Sequence, residues 1–150
     1  MNPCHALLAA ACALAMAAAP ARAKPVEQVR VGFSTSISGP FAALGAEARD
    51  GFNLALKQLG GKLGGIPVEV FATDEAGNPD TARQHVDRYI KRDRIHFYTG
   101  PIGSNVALAV GPTLFAAEVF YLSNNAGPSQ LAGTQCNAFF FSTAYQNDVY

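Results

Sequence analysis

Between residues 29 and 141 the apolar positions of this chain alternate between two rhythms, short β-prone runs and longer stretches at helical spacing. Residues 29–34 are β-prone and lead into a loop containing Ser38-Gly39-Pro40, which predicts a first strand. From 45 to 59 the positions Ala48, Phe52, Ala55, Leu56 and Leu59 recur as one face of a helix, with Glu47 in its first turn and Gly60-Gly61 as its stop. Residues 67–73, rich in Val and Phe, predict a second strand closed by the polar turn 74–78. Asn78-Pro79 then opens a second helix by N-cap and first-turn preference, and Ala82, Val86, Tyr89 and Ile90 form its apolar stripe. A third strand is predicted at 95–98. The helix that follows starts near Ser104 and runs toward Ala117, with Pro112 expected to kink or divide it. Residues 119–122 predict a fourth strand and 139–141 a fifth.

Strands alternating with helices predict an α/β fold, a doubly wound parallel sheet whose right-handed crossovers leave few topologies. Ligands of such sheets sit beyond the carboxyl ends of the strands, where the strand order reverses. Three loops qualify: 35–44, 99–103 and 123–129. All are rich in Ser, Thr, Asn and Gly, which offer hydroxyls and backbone N–H groups.

The ends of the chain change the picture. Residues 6–19 form an apolar run too short to span a bilayer, ending in Pro20-Ala21-Arg22-Ala23, a small-x-small cleavage pattern. Residues 1–23 therefore read as a secretory signal peptide cleaved after Ala23, although its first residues lack Lys and Arg. Cys12 is preceded by Ala9-Ala10-Ala11 without the large aliphatic residue that a lipoprotein cleavage site shows, so lipidation is not expected. Over the whole chain 11 basic residues balance 11 acidic ones, and cleavage removes only Arg22, leaving a net charge of about −1. With no basic run, nothing recommends nucleic acid or an anionic membrane as a partner. Cys4 and Cys12 leave with the signal, so Cys136 stands alone in an oxidising compartment, either as a buried thiol or with its partner on other sequence.

The segment 95–109 carries the clearest chemistry. A β-run, Ile95-His96-Phe97-Tyr98, is followed by Thr99-Gly100-Pro101-Ile102-Gly103-Ser104 and then by the helix former Asn105-Val106-Ala107-Leu108. That order sets a hydroxyl and free N–H groups at a helix N-terminus, where the macrodipole favours an anion. Ser104 reads as a carboxylate contact, as a cap for its own helix, or as both. Catalytic signatures are missing: there is no Gly-x-Ser-x-Gly elbow, no Walker Gly-Lys-Ser/Thr and no Gly-x-Gly-x-x-Gly after the first strand. His85 and His96 lack metal-ligand spacing, so no metal or cofactor is expected. Asp74-Glu75 is placed like the acidic pair of a phospho-receiver, but an exported chain has no cytoplasmic phosphodonor, and Asp74 is expected to shape its turn.

These segments together resemble the periplasmic solute-binding proteins of ABC importers, of the branched-chain amino acid type with a type I periplasmic-binding fold. The resemblance rests on Val31-Gly32-Phe33-Ser34-Thr35-Ser36-Ile37-Ser38-Gly39-Pro40 with Gly45, on Asp50-Gly51-Phe52-Asn53-Leu54-Ala55, on Asp74-Glu75-Ala76-Gly77-Asn78-Pro79, on 100–104 and on 122–131. It implies two α/β lobes closing around a ligand, with residues 24–150 supplying the N-terminal part of the first lobe. It also implies that the ligand carboxylate is held at the Gly103-Ser104 corner and by Asn125, Ala126 and Gly127. Members that bind branched-chain amino acids usually carry Thr where Gly127 stands and often an aromatic where Leu44 stands. The loop Asn125-Ala126-Gly127-Pro128-Ser129 and Cys136-Asn137 look more like the members that take aromatic or other organic carboxylates.

The expected function is extracytoplasmic capture of an amino acid or related carboxylate for an inner-membrane permease, by a protein that is monomeric when complete. The same fold also serves sensory receptors, an alternative that sequence downstream would separate. An exported enzyme is not expected, because no nucleophile and base pair appears.

Overall fold

The computed structural model describes residues 25–147. The expected signal peptide, with Cys4 and Cys12, lies outside the described residues, as does the end of the chain from Asp148. Six strands, β1 (Val29–Thr35), β2 (Lys62–Leu63), β3 (Ile66–Asp74), β4 (Phe97–Thr99), β5 (Phe120–Ser123) and β6 (Phe140–Ser142), form one sheet in the order β2-β3-β1-β4-β5-β6. All pairings are parallel except the β2–β3 hairpin. Four α-helices connect them: α1 (Ala42–Gln58), α2 (Pro79–Arg88), α3 (Ser104–Ala116) and the single turn α4 (Ser129–Ala132).

One face of the sheet holds the core. Parallel register sets Gly32, Tyr98, Tyr121 and Phe140 in one row across four strands, because each side chain alternates in direction along its strand. Tyr98 meets Tyr121 edge-on at 5.2 Å between ring centroids, and Tyr121 meets Phe140 at the same spacing. Gly32 makes room in this row: a Cβ there would stand 2.8 Å from Cδ2 of Tyr89. Above the row pack Ala82, Val86 and Tyr89 at the end of α2, and Val106, Ala107, Val110 and Leu114 of α3, all fully buried. The helical stripe of the second helix is thus the one its periodicity predicts. On the opposite face α1 lays Phe52 on Phe33, their rings stacked at 4.7 Å. Next to it Phe120, Leu122 and Phe141 are 39%, 37% and 51% exposed.

Several elements depart from the sequence reading. The first helix begins three residues earlier than predicted, after a 3-10 turn at Gly39–Phe41, because Pro40 at its start pre-sets a helical φ. The hairpin β2–β3 is additional. Gly64 and Gly65, with φ of +57° and +83°, make the two-residue turn that joins Leu63 to its partner Ile66. Pro112 neither divides nor ends α3, which runs unbroken through it. Its ring is on the exposed side, while Val110, Gly111 and Leu114 hold the helix to the core, so packing outweighs the one missing backbone bond. The third strand is shifted toward Thr99, since Ile95 and His96 follow a π-helical turn (Tyr89–Asp93) that ends with Arg94 in the left-handed region.

Candidate functional site

From β1 the chain crosses to β3 on one side, and β4, the other neighbour of β1, leads on to β5 and away. The strand order therefore reverses between β1 and β4. The loops at their carboxyl ends, 36–41 and 100–103, flank this crevice. Gly100 lets β4 end close to β1: its φ is +114°, and a Cβ there would stand 2.6 Å from the carbonyl oxygen of Ser34.

The β1–α1 loop is fastened from the end of β3. Asp74 Oδ1 accepts N–H bonds from Ile37 (2.9 Å), Ser38 (3.3 Å) and Ala76 (2.9 Å). Burial works against ionisation of Asp74, yet the bonds from Ser38, Ala76 and Ile37 outweigh it and hold the carboxyl below its usual range. Glu75 is fully buried, and its carboxylate accepts from Ser36 Oγ at 2.8 Å and from the Gly77 N–H at 2.6 Å. Asp74 thus shapes its turn as expected, and the pair has a structural partner in the loop it faces. A Cβ on Gly77 would lie 3.2 Å from the Phe41 ring and one on Gly103 3.5 Å from it, so Phe41 sits between the acidic turn and the start of α3.

At that start the backbone departs from one expectation. Gly103, not Ser104, occupies the N-cap, with φ −81° and ψ 133°, and no side chain caps the helix. Ser104 is the first helical residue, and its hydroxyl is free of capping duty. The first intrahelical bond runs from the Ala107 N–H to the Gly103 carbonyl (3.0 Å), so the N–H groups of Ser104, Asn105 and Val106 precede it. A hydroxyl beside three forward-pointing N–H donors, at the positive end of a 13-residue helix, is suited to a carboxylate.

The loop after β5 comes to the same corner. Asn125 Nδ2 donates to the Ile102 carbonyl (3.0 Å), tying the two loops together. Ala126 is 2% exposed, and its carbonyl accepts from Ser123 Oγ. Gly127 is buried, and a Cβ there would collide with the carbonyl oxygen of Tyr145. The chain after β6 passes over this loop: the Thr143 N–H donates to the Ser123 carbonyl (2.9 Å) and the Asn147 N–H to the Gly127 carbonyl (2.8 Å). Asn147 Nδ2 then donates to Ser104 Oγ (2.9 Å).

Of the residues singled out from sequence, Gly103, Ser104, Asn125 and Gly127 gather at one corner, and Ala126 contributes through its backbone. Leu44 stands in the first turn of α1, 46% exposed; from that segment it is Phe41 that meets the corner. Cys136 is an exposed free thiol, which rules out the buried reading. Sequence reasoning missed Asn147 and the loop-fastening role of Glu75. Neither contact has a local signal, because the partners lie 43 and 39 positions away.

The profile of the periplasmic binding protein family matches residues 28–150. The chain belongs to that family. A Leu/Ile/Val-binding protein of Rhizobium johnstonii is 30% identical over 88 residues, 57% of this chain and 24% of that protein. Among solved structures, a solute-binding protein of an ABC transporter from Rhodopseudomonas palustris, in complex with benzoate, superposes with a TM-score of 0.76 at 26% identity. That match takes in 80% of this chain and 33% of that one. An ABC transporter substrate-binding protein of Sphaerobacter thermophilus gives a TM-score of 0.70 at 35% identity, over 77% of this chain and 32% of that one. The chain therefore spans between a quarter and a third of the length of these members. The family resemblance and the α/β lobe expected from sequence agree with these matches. The family is one of periplasmic transport proteins.

Proposed function

We propose that this chain supplies the first part of the ligand-binding lobe of an ABC importer's solute-binding protein, which captures an organic carboxylate or amino acid and delivers it to a membrane permease. The observation that carries this reading is the corner at the reversal of strand order. There the hydroxyl of Ser104 and the N–H groups of Ser104, Asn105 and Val106 stand together at the positive end of α3. Gly103, Asn125, Ala126 and Gly127 form the walls of that corner, and Phe41 meets it from the β1–α1 side. A second lobe, supplied by chain beyond these residues, completes the enclosure, because a two-lobed site buries its ligand by hinge closure.

An aromatic or simple organic carboxylate fits better than a branched-chain amino acid. Gly127 packs under the Tyr145 carbonyl and leaves no room for a hydroxyl-bearing side chain, and Leu44 brings no ring. The benzoate complex of the R. palustris protein supports the same class, while the Leu/Ile/Val-binding relative supports the wider one. Export by a signal peptide cleaved after Ala23 belongs to this reading. The test is calorimetric titration of the complete protein with benzoate, hydroxybenzoates and isoleucine. Tight binding of an aromatic acid is the expected result, and binding of none of these acids would overturn the assignment.

A further inference from the structure

Asn147 occupies an unusual position for a residue that no sequence signal marks. Its N–H is anchored to the Gly127 carbonyl at 2.8 Å, and its side-chain Nδ2 donates to Ser104 Oγ at 2.9 Å. A serine hydroxyl has one hydrogen to donate and two lone pairs. With a lone pair held by Asn147, and with no helix-capping bond to make, the hydroxyl hydrogen is left to point at an acceptor in the corner. The site then offers that O–H together with the three N–H groups of 104–106, all donors, which is the arrangement an anion requires. Gly127 is what admits this: any side chain there would push out the Tyr145 carbonyl and with it the segment after β6 that carries Asn147.

We propose that Asn147 is a positioning residue of the carboxylate corner, setting the donor direction of the Ser104 hydroxyl in the place where Gly127 brings no side chain of its own. The inference rests on the carboxylate reading of that corner. It is the direction of the bond, not the bulk of the side chain, that matters. Asn147→Asp is nearly isosteric, but its carboxylate accepts the Ser104 proton and adds a negative charge beside the ligand. Asn147→Ala merely releases the hydroxyl to rotate.

Two measurements on the 15N-labelled complete protein separate this inference from the reading beneath it. Without ligand, Ser104→Ala should shift the Asn147 side-chain amide resonances while leaving the sheet amides in place. An Asn147 side chain indifferent to Ser104→Ala overturns the inference whatever the corner binds. With millimolar benzoate as probe, the amides of Ser104, Asn105 and Val106 should shift in wild type. The apparent affinity should fall about threefold to tenfold in Asn147→Ala, the cost of one neutral hydrogen bond, and the response should vanish in Asn147→Asp. Equal affinities in the Asp and Ala variants, or wild-type affinity in the Asp variant, would show that bond direction is irrelevant and overturn the proposal. A side-chain contact confirmed by the first measurement, with no benzoate response in wild type, overturns the carboxylate reading and retains the Ser104–Asn147 pair as a structural contact alone.

Discussion

At the scale of single residues, the corner and its fastening make separable predictions. Ser104→Ala in the complete protein should weaken ligand binding by about 1 to 3 kcal/mol, the range for a hydrogen bond to a charged group. Because Gly103 holds the N-cap, the same change should leave the thermal midpoint nearly unaltered; a large loss of stability by calorimetry would reveal a hidden structural duty. Asp74 should behave in the opposite way. Its Oδ1 accepts three N–H bonds, a task that Asn can share and Ala cannot, so Asp74→Ala should be clearly less stable than Asp74→Asn in urea titrations. Its pKa is depressed in the fold, so its ionised form contributes stability above the unfolded value of 3.8. That contribution should be lost as pH falls from there through the folded value, and acid titration of Asp74→Asn should lack this component.

At the scale of elements, the buried tyrosine row decides how α2 and α3 sit on the sheet. Tyr98 and Tyr121 are fully buried, and their hydroxyls have no hydrogen-bond partner at ordinary distance among the described residues. Burial raises both pKa values, Tyr98 further by the charge of neighbouring Tyr121, well above the unfolded value of 10.0. The folded state then holds protons that the unfolded state releases, so stability is complete below pH 10 and declines as pH rises beyond it. Ultraviolet titration should therefore show these two ionising only together with unfolding. Within α3, Leu114 is wholly buried in the same core, and Leu114→Ala should cost about 2 to 5 kcal/mol by loss of contacts and the cavity left behind.

At the scale of the whole molecule, the two faces of the sheet are unequal. One is sealed by α2 and α3. The other is covered by α1 beside β1 and leaves a groove of about 310 Å³ lined by Val31, Phe52, Leu63, Phe97 and Leu122, with Phe120 and Phe141 next to it. Parallel sheets are ordinarily covered on both faces, and contiguous exposed apolar surface promotes association. The chain of 150 residues should accordingly bind an apolar dye and self-associate at moderate concentration, both measurable by fluorescence and light scattering. It should also bind an aromatic acid far more weakly than the complete protein, since half a wall cannot exclude water from the ligand. Micromolar binding by a well-behaved monomer would show that one lobe suffices.

The sequence by itself determined the order and type of the larger elements, because their apolar periods are local: the second helix declares itself through Asn78-Pro79 and the stripe Ala82, Val86, Tyr89, Ile90. It also marked the turn before α3 as a candidate site, since a glycine-rich turn between a β-run and a helix former is readable within ten residues. The antiparallel β2 has only a faint local signal, Gly64-Gly65 flanked by short apolar runs, which is weak against the longer periodic stretches. Tertiary structure alone decided the rest. Only the packed core could carry α3 through Pro112, overriding a local preference by burial of Val110 and Leu114. Only strand pairing could bring the end of β3 to the loop it fastens, and only the passage after β6 could set Asn147 on Ser104 and demand glycine at 127. Such contacts join residues about forty positions apart, and their energies depend on distances that sheet register creates and that no local pattern of side chains records.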